Sequence, residues 1–296
     1  MQPQHVLTPS ALVRLLSIRD LADPARGPHA VQRALHGALD ALSRAAPCRV
    51  VTDRSGPIVP RLDEERLGRD PSRGAARGGG LRHVSPVRVL RSGAASSMPA
   101  LLRQVVLPPH GDLLLACAGA VHPSYGSRPT PTRDVRDAVV PHEAALWRLR
   151  RGPAFGLRDV GLAIGSVARA LVPGLTVSAA AAALPYTVEA RTLDVRVRGA
   201  WIELGRCGAV DPELLADLRL PPGVSALALS LDLDRVVMVA KGIDDARLLR
   251  ARRRAVADQL LDLEPYVPPA ARAAGGEPEE GPVRPALREG QAASAR

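Results

Sequence analysis

Aromatic side chains are almost missing from this chain. Two Trp, three Tyr and one Phe are spread over 296 residues. The core must therefore be built from Leu, Val and Ala, which hold their shape by close packing alone. Lysine is scarcer still: of 40 basic residues only Lys241 is a lysine, and the rest are arginine. With 28 Pro and 26 Gly, this is the bias that GC-rich coding produces. Three cysteines, Cys48, Cys117 and Cys207, stand far apart, which excludes a disulfide framework and a zinc signature. No apolar run reaches the roughly 18 residues that a membrane-spanning helix needs. The first residues show no basic stretch followed by an apolar one. The expectation is a soluble, cytoplasmic protein with no membrane partner.

What is present is ordinary for a globular chain: 46% apolar and 24% charged residues, enough for one large domain or two small ones. The formal net charge of +10 is compatible with a polyanionic partner such as RNA. An arginine run at 250–254 could supply such a contact, or could be a solvated helix face.

Periodicity places the elements. Residues 8–22 read as a helix capped by Thr8 or Ser10, with Leu12, Leu15, Leu16 and Ile18 on its apolar stripe. A second helix over 28–46 carries Val31, Leu35, Leu39 and Leu42. Residues 48–52 and 57–60 read as short strands around a Ser55-Gly56 turn. The Gly- and Arg-rich stretch 68–83 is either a phosphate-cradling loop or a flexible insertion; it has no P-loop lysine. Residues 113–121 predict a buried strand, and 146–149 its returning partner. A helix follows over 157–172, then a hairpin of 193–197 and 201–204. Asp211 and Pro212 open a helix that reaches 218. An apolar strand at 226–233 runs straight into a helix at 234–241, which Gly242 ends. One more helix is expected at 253–263. Residues 1–269 form the expected core domain, and 270–296, without apolar periodicity, the expected disordered tail.

The segment 227–249, LALSLDLDRVVMVAKGIDDARLL, is the most specific. A strand delivers an arginine to the start of a helix. This resembles motif 3 of the class II aminoacyl-tRNA synthetases, as found in the phenylalanyl-tRNA synthetase catalytic subunit: G-x-G-x-[DE]-R-L-x-M-x-x-x-G-I-x-D-x-R-L. Asp234, Arg235, Met238, Gly242, Ile243, Asp245, Arg247 and Leu248 match. Residues 184–214 resemble the stretch F-P-F-T-E-P-S-x-E-V-D-V…W-x-E-x-x-G-x-G-M-V-H-P through Pro185, Tyr186, Thr187, Asp194, Trp201, Glu203, Gly208 and Pro212. Weaker likenesses extend N-terminally: residues 56–60 to the Pro-ending strand of motif 1, and 112–121 with Pro141-His142-Glu143 to the strands of motif 2.

The resemblance implies an α/β (α+β) fold, an antiparallel sheet flanked by helices. It implies ATP-dependent activation of an amino acid, with ATP and Mg2+ as cofactors, tRNA as acceptor and a homodimer. Catalytic roles fall on Arg235, His142 and Glu143. Nucleotide contacts fall on Arg235, Ser230, Asp232 and Arg133, and the substrate pocket on Tyr186, Thr187, Glu203 and Gly208, with Glu203 also the metal ligand. Arg128 is the alternative to Arg133 for the motif 2 arginine. Tyr186 would pack on the substrate's ring.

The departures are equally specific. Ser230 and Asp232 stand where the motif has glycines, Ala145 where it has a carboxylate, Gly93 where it has a histidine, and Val188 where it has a glutamate. A non-catalytic paralogue that binds a small ligand or RNA is therefore the alternative to an amino-acid ligase.

Overall fold

The computed structural model describes residues 6–53, 55–68, 81–107, 111–123 and 140–269. Residues 69–80 of the expected loop at 68–83, Arg128, Arg133 and the tail from 270 lie outside the described residues.

An eight-stranded sheet organises the chain. Its strands are β1 (Cys48–Asp53), β5 (Asp112–Ala120), β6 (His142–Arg151), β7 (Val177–Ser178), β8 (Ala181–Ala182), β9 (Thr187–Val197), β10 (Ala200–Val210) and β11 (Val224–Asp232). Their order is β1-β5-β6-β11-β10-β9-β7, with β8 also on β9. All pairs are antiparallel except β1 with β5. A smaller sheet joins β2 (Ile58–Pro60), β4 (Arg88–Leu90) and β3 (His83–Ser85). The two strands expected around Ser55-Gly56 thus belong to different sheets. The fold class is the expected one: a mostly antiparallel sheet flanked by helices.

Three helices cover one face: α2 (Ala30–Ala45), α5 (Leu157–Leu171) and α7 (Leu233–Lys241). Val31, Leu35, Leu39 and Leu42 of α2 are all buried there, as their spacing demands. The other face carries short elements, among them α3 (Arg61–Arg66), α4 (Met98–Leu102) and α6 (Pro212–Asp217). Because side chains alternate along a strand, the sheet feeds a separate apolar layer on each side.

Local chemistry explains most boundaries. Thr8 caps α1 (Pro9–Leu16), its Oγ1 accepting from Ala11 N–H at 3.2 Å. The helix stops at Leu16 rather than 22, and none of its residues is buried. Asp211 Oδ1 accepts from Glu213 N–H at 2.9 Å and opens α6. The β9–β10 turn is Arg198-Gly199, both with positive φ (49° and 86°), which twists the hairpin in the favoured sense. The expected helix at 253–263 is not continuous. A single α turn, α8 (Arg254–Ala257), passes into a 3-10 turn, because only Val256 and Leu260 find a buried place.

Lys241, the one lysine, is 2% exposed and holds this last segment to α7. Its Nζ donates to the Asp262 carbonyl (3.2 Å), Asp262 Oδ1 (3.1 Å) and the Glu264 carbonyl (2.5 Å). Tyr266 N–H returns a bond to the Lys241 carbonyl at 2.8 Å. Lys241→Met keeps the stem and removes the donors. It is expected to lower stability by about 1.5–3 kcal/mol, the range for bonds made by a charged group. Chemical denaturation measures the loss, and faster proteolysis within 258–269 locates it.

Candidate functional site

The face away from α2, α5 and α7 can be read rung by rung from the strand register. The outermost rung holds Gly119 (β5), Glu143 (β6) and Asp232 (β11). Below it come Cys117, Ala145, Ser230, Arg206 and Thr192, and below these Leu115, Trp147, Ala228, Gly208 and Ala190. The face is thus acidic at one end, mostly polar in the middle with Arg206 as its one large side chain, and apolar at the other.

Asp232 ends β11 and caps α7. Its Oδ1 accepts from Arg235 N–H at 3.0 Å, and its Oδ2 lies 3.4 Å from Arg235 Nε. Burial pushes the Asp232 carboxyl well above the ordinary carboxylate range; the charge of Asp234 adds to this and Arg235 opposes it. Arg235 also donates from Nη1 to the Glu203 carbonyl at 3.3 Å. It borders a cavity of about 240 Å3 between α7 and the β9–β10 turn, with Trp201, Ile202, Met238 and Ile243 among its walls. Glu143, one strand away, accepts from Ala94 N–H at 3.2 Å.

The other expected site residues are dispersed. His142 lies on the opposite, helix-covered face, fully buried. Its Nδ1 is 2.8 Å from Asp234 Oδ1, and its Nε2 accepts from Leu21 N–H at 3.0 Å. That assigns the ring proton to Nδ1, where it is donated to Asp234. Asp234 also accepts from His142 N–H at 3.0 Å, so the pair ties α7 to β6. Glu203 is gripped at both oxygens by Arg206 (2.8 and 3.1 Å). Ser230 sits half-buried between Ala145 and Arg206. Thr187 Oγ1 donates to the Leu184 carbonyl at 2.8 Å. A Cβ on Gly208 would come 2.3 Å from the Glu189 carbonyl, so its side-chain position is closed by backbone. Tyr186 is buried against Trp147, ring centroids 5.6 Å apart. The structure therefore brings Arg235, Asp232, Glu143 and Glu203 to one end, with Ser230 in the middle, while Tyr186, Thr187 and Gly208 lie at the other.

Two residues that sequence reasoning passed over organise this face. Arg91 is 1% exposed and donates to the carbonyls of Ala120 (2.9 Å) and Ala118 (3.2 Å) and to Ser97 Oγ (3.3 Å). Asp20 Oδ2 accepts from Ala120 N–H at 2.9 Å. Arg91 falls in the segment 89–102, which resembles the family stretch L-L-R-T-H-T-S, but the partners of both residues had no local signal, because both act on a strand far away in the chain. Trp147 is the other large missed residue, and its rarity was the available clue.

The mostly antiparallel sheet flanked by helices, with an arginine where a strand meets a helix, is consistent with a class II synthetase type of core. Residues 156–259 match the model of the tRNA synthetases class II core domain (F). The chain is also similar to phenylalanine–tRNA ligase alpha subunits. It is 35% identical to the Phenylalanine--tRNA ligase alpha subunit of Prochlorococcus marinus (strain MIT 9313) over 122 residues, 40% of this chain and 36% of that protein. It is 29% identical to that of Nostoc punctiforme over 158 residues (48% and 47%), and 38% identical to that of Homo sapiens over 80 residues (25% and 16%). The chain thus spans less than half the length of these relatives. No helix among the described residues is long and apolar enough to cross a membrane.

Class II synthetases use ATP and Mg2+, and the residues described here fit that pair poorly. Two carboxylates, Asp232 and Glu143, face the outer rung, and Arg235 is already paired to one of them. Glu203 has both oxygens on Arg206. Among the described residues no group of three His, Cys, Asp or Glu side chains is placed to hold a metal ion.

Proposed function

We propose that this chain keeps the amino-acid side of a class II synthetase site and binds a small amine-bearing ligand, without standard ATP-dependent activation. The observation that carries this reading is Asp232. In activation a carboxylate attacks the α-phosphate, and negative charge grows on phosphate oxygens. An ionised carboxylate beside that charge opposes it, and burial already holds Asp232 against carrying a charge of its own. An ammonium placed beside Asp232 and Glu143 favours the ionised form of Asp232 and pairs with it. Arg235, paired with Asp232, is held on the protein's own anion. A homodimer rests on the likeness alone and belongs to the same reading.

The test is amino-acid-dependent ATP–pyrophosphate exchange across the common amino acids, with calorimetric titration of the same amino acids in the absence of ATP. Background exchange together with ATP-independent binding is expected. Exchange above background with any amino acid would overturn it. A second reading, aminoacylation of tRNA, is favoured by the retained Arg235 at the head of α7 and by the likeness to the ligase alpha subunits. It requires that exchange, and its loss in Arg235→Ala.

A further inference from the structure

We propose that Trp147 sets the size limit of this site by filling an aryl-sized hollow in the sheet face, so that amino acids with aromatic side chains are excluded. The inference rests on the reading of that face as an amino-acid site.

The hollow follows from the third rung. Ala228, Gly208 and Ala190 lie side by side on three adjacent strands, and none carries more than a methyl group. Three small residues in a row leave volume above a sheet, and a close-packed protein must fill it. Trp147, directly opposite Ala228 in register, is the large side chain on that rung besides Leu115. It is 0% exposed and meets the Tyr186 ring at 5.6 Å, with 31° between the planes. Its Nε1–H finds no acceptor among the described residues. A buried indole normally has one, so this indole is held by its shape and not by a hydrogen bond.

Above the indole the second rung carries Cys117 and Ala145, both fully buried, and the half-buried Ser230, with Arg206 and Thr192 on the two strands beyond. Above that stand the two carboxylates. Rungs are about 7 Å apart, two residues of strand. A ligand whose ammonium meets Asp232 and Glu143 can place a short side chain over the half-buried Ser230. A longer one runs into the Trp147–Tyr186 pair. Tyr186, expected to pack on a substrate ring, packs on the protein's own ring.

The experiment compares the wild type with Trp147→Leu and Trp147→Ala, using L-phenylalanine, L-alanine and indole as calorimetric probes without ATP. The wild type should bind L-alanine but neither L-phenylalanine nor indole. The variants should bind indole, and L-phenylalanine at least about tenfold more tightly than the wild type, a typical value for an apolar group gaining a pocket. Measurable L-phenylalanine binding by the wild type overturns the proposal even if no variant folds. Variants that bind indole but not L-phenylalanine also overturn it, since the hollow would then be plain core. Variants that bind neither show that no aryl-sized hollow exists. If the wild type binds no amino acid while the variants bind L-phenylalanine, Trp147 stands as the size limit and the amine-ligand reading of the native protein falls.

Discussion

Replacing Arg91 by methionine is expected to lower the stability of the protein by about 3–5 kcal/mol, the range for breaking a buried charge network by removing one partner. The guanidinium donates to two carbonyls of β5 and to Ser97, and its charge interacts with Asp20. Methionine fills much of the volume but leaves Asp20 and the Ala118 carbonyl facing an apolar side chain. Lysine is not a substitute, because one ammonium cannot reach three acceptors arranged for a planar fork. Gly119→Ala attacks the same node from the other side. Gly119 has φ +137°, and a Cβ there would lie 2.3 Å from Arg91 Nη2 and 2.6 Å from Asp20 Oδ2. Urea denaturation measures both variants. A loss below about 1 kcal/mol for Arg91→Met would mean that water replaces the guanidinium, a possibility its 1% exposure argues against.

Acid is expected to weaken the fold between pH 6.5 and 4 through two histidines held neutral. His29 caps α2: its Nδ1 accepts from Val31 N–H at 3.1 Å, and its Nε2 bonds the Leu249 carbonyl at 3.0 Å. A proton on Nδ1 would turn the cap into a second donor facing that N–H. Burial drives the pKa of His29 down to about 4, with the Arg19 charge adding to the effect. Burial, then the charges of Arg82 and Arg91, drive His122 down to about 4 as well. Both folded values lie below the unfolded 6.5, so the folded state binds fewer protons in this window. The stability they contribute is complete above pH 6.5 and is lost as pH falls towards 4, up to about 3 kcal/mol for each. Asp232 works in the opposite sense. Its folded pKa is raised, so stability grows as pH falls from that raised value towards the ordinary 3.8. Two histidines against one carboxyl leave a net decline. His29→Asn keeps a capping acceptor and removes one titration. Its stability should fall less steeply, by about 1.4 kcal/mol per pH unit near pH 5. Denaturation at a series of pH values gives both slopes, and equal slopes would show that His29 is not held neutral.

The elements that were legible are those whose signal is local. The run from β11 through Arg235 to Gly242 was readable because an apolar strand, a capped helix and a terminal glycine follow one another without a gap. Helix α2 was readable from its four buried residues at helical spacing. The helix expected at 253–263 failed because its apolar positions are few, and the surrounding fold buries only Val256 and Leu260. The helix expected to reach 22 ends early because Asp20 and Leu21 are recruited by β5 and by His142. His142 and Glu143 looked like neighbours in one site. Strand alternation sends them to opposite faces, which becomes visible only once β6 is known to begin at His142.

The sequence by itself determined the strand-to-helix arginine, the poverty in aromatic side chains and the departures at Ser230, Asp232 and Ala145. All of these are properties of single positions or contiguous stretches. The tertiary structure alone decided which charges and rings meet. His142 meets Asp234 between β6 and α7, Arg91 grips the carbonyls of β5, and Tyr186 finds Trp147. These partners depend on the register of strands far apart in the chain, and register is set by the whole sheet burying two apolar layers at once.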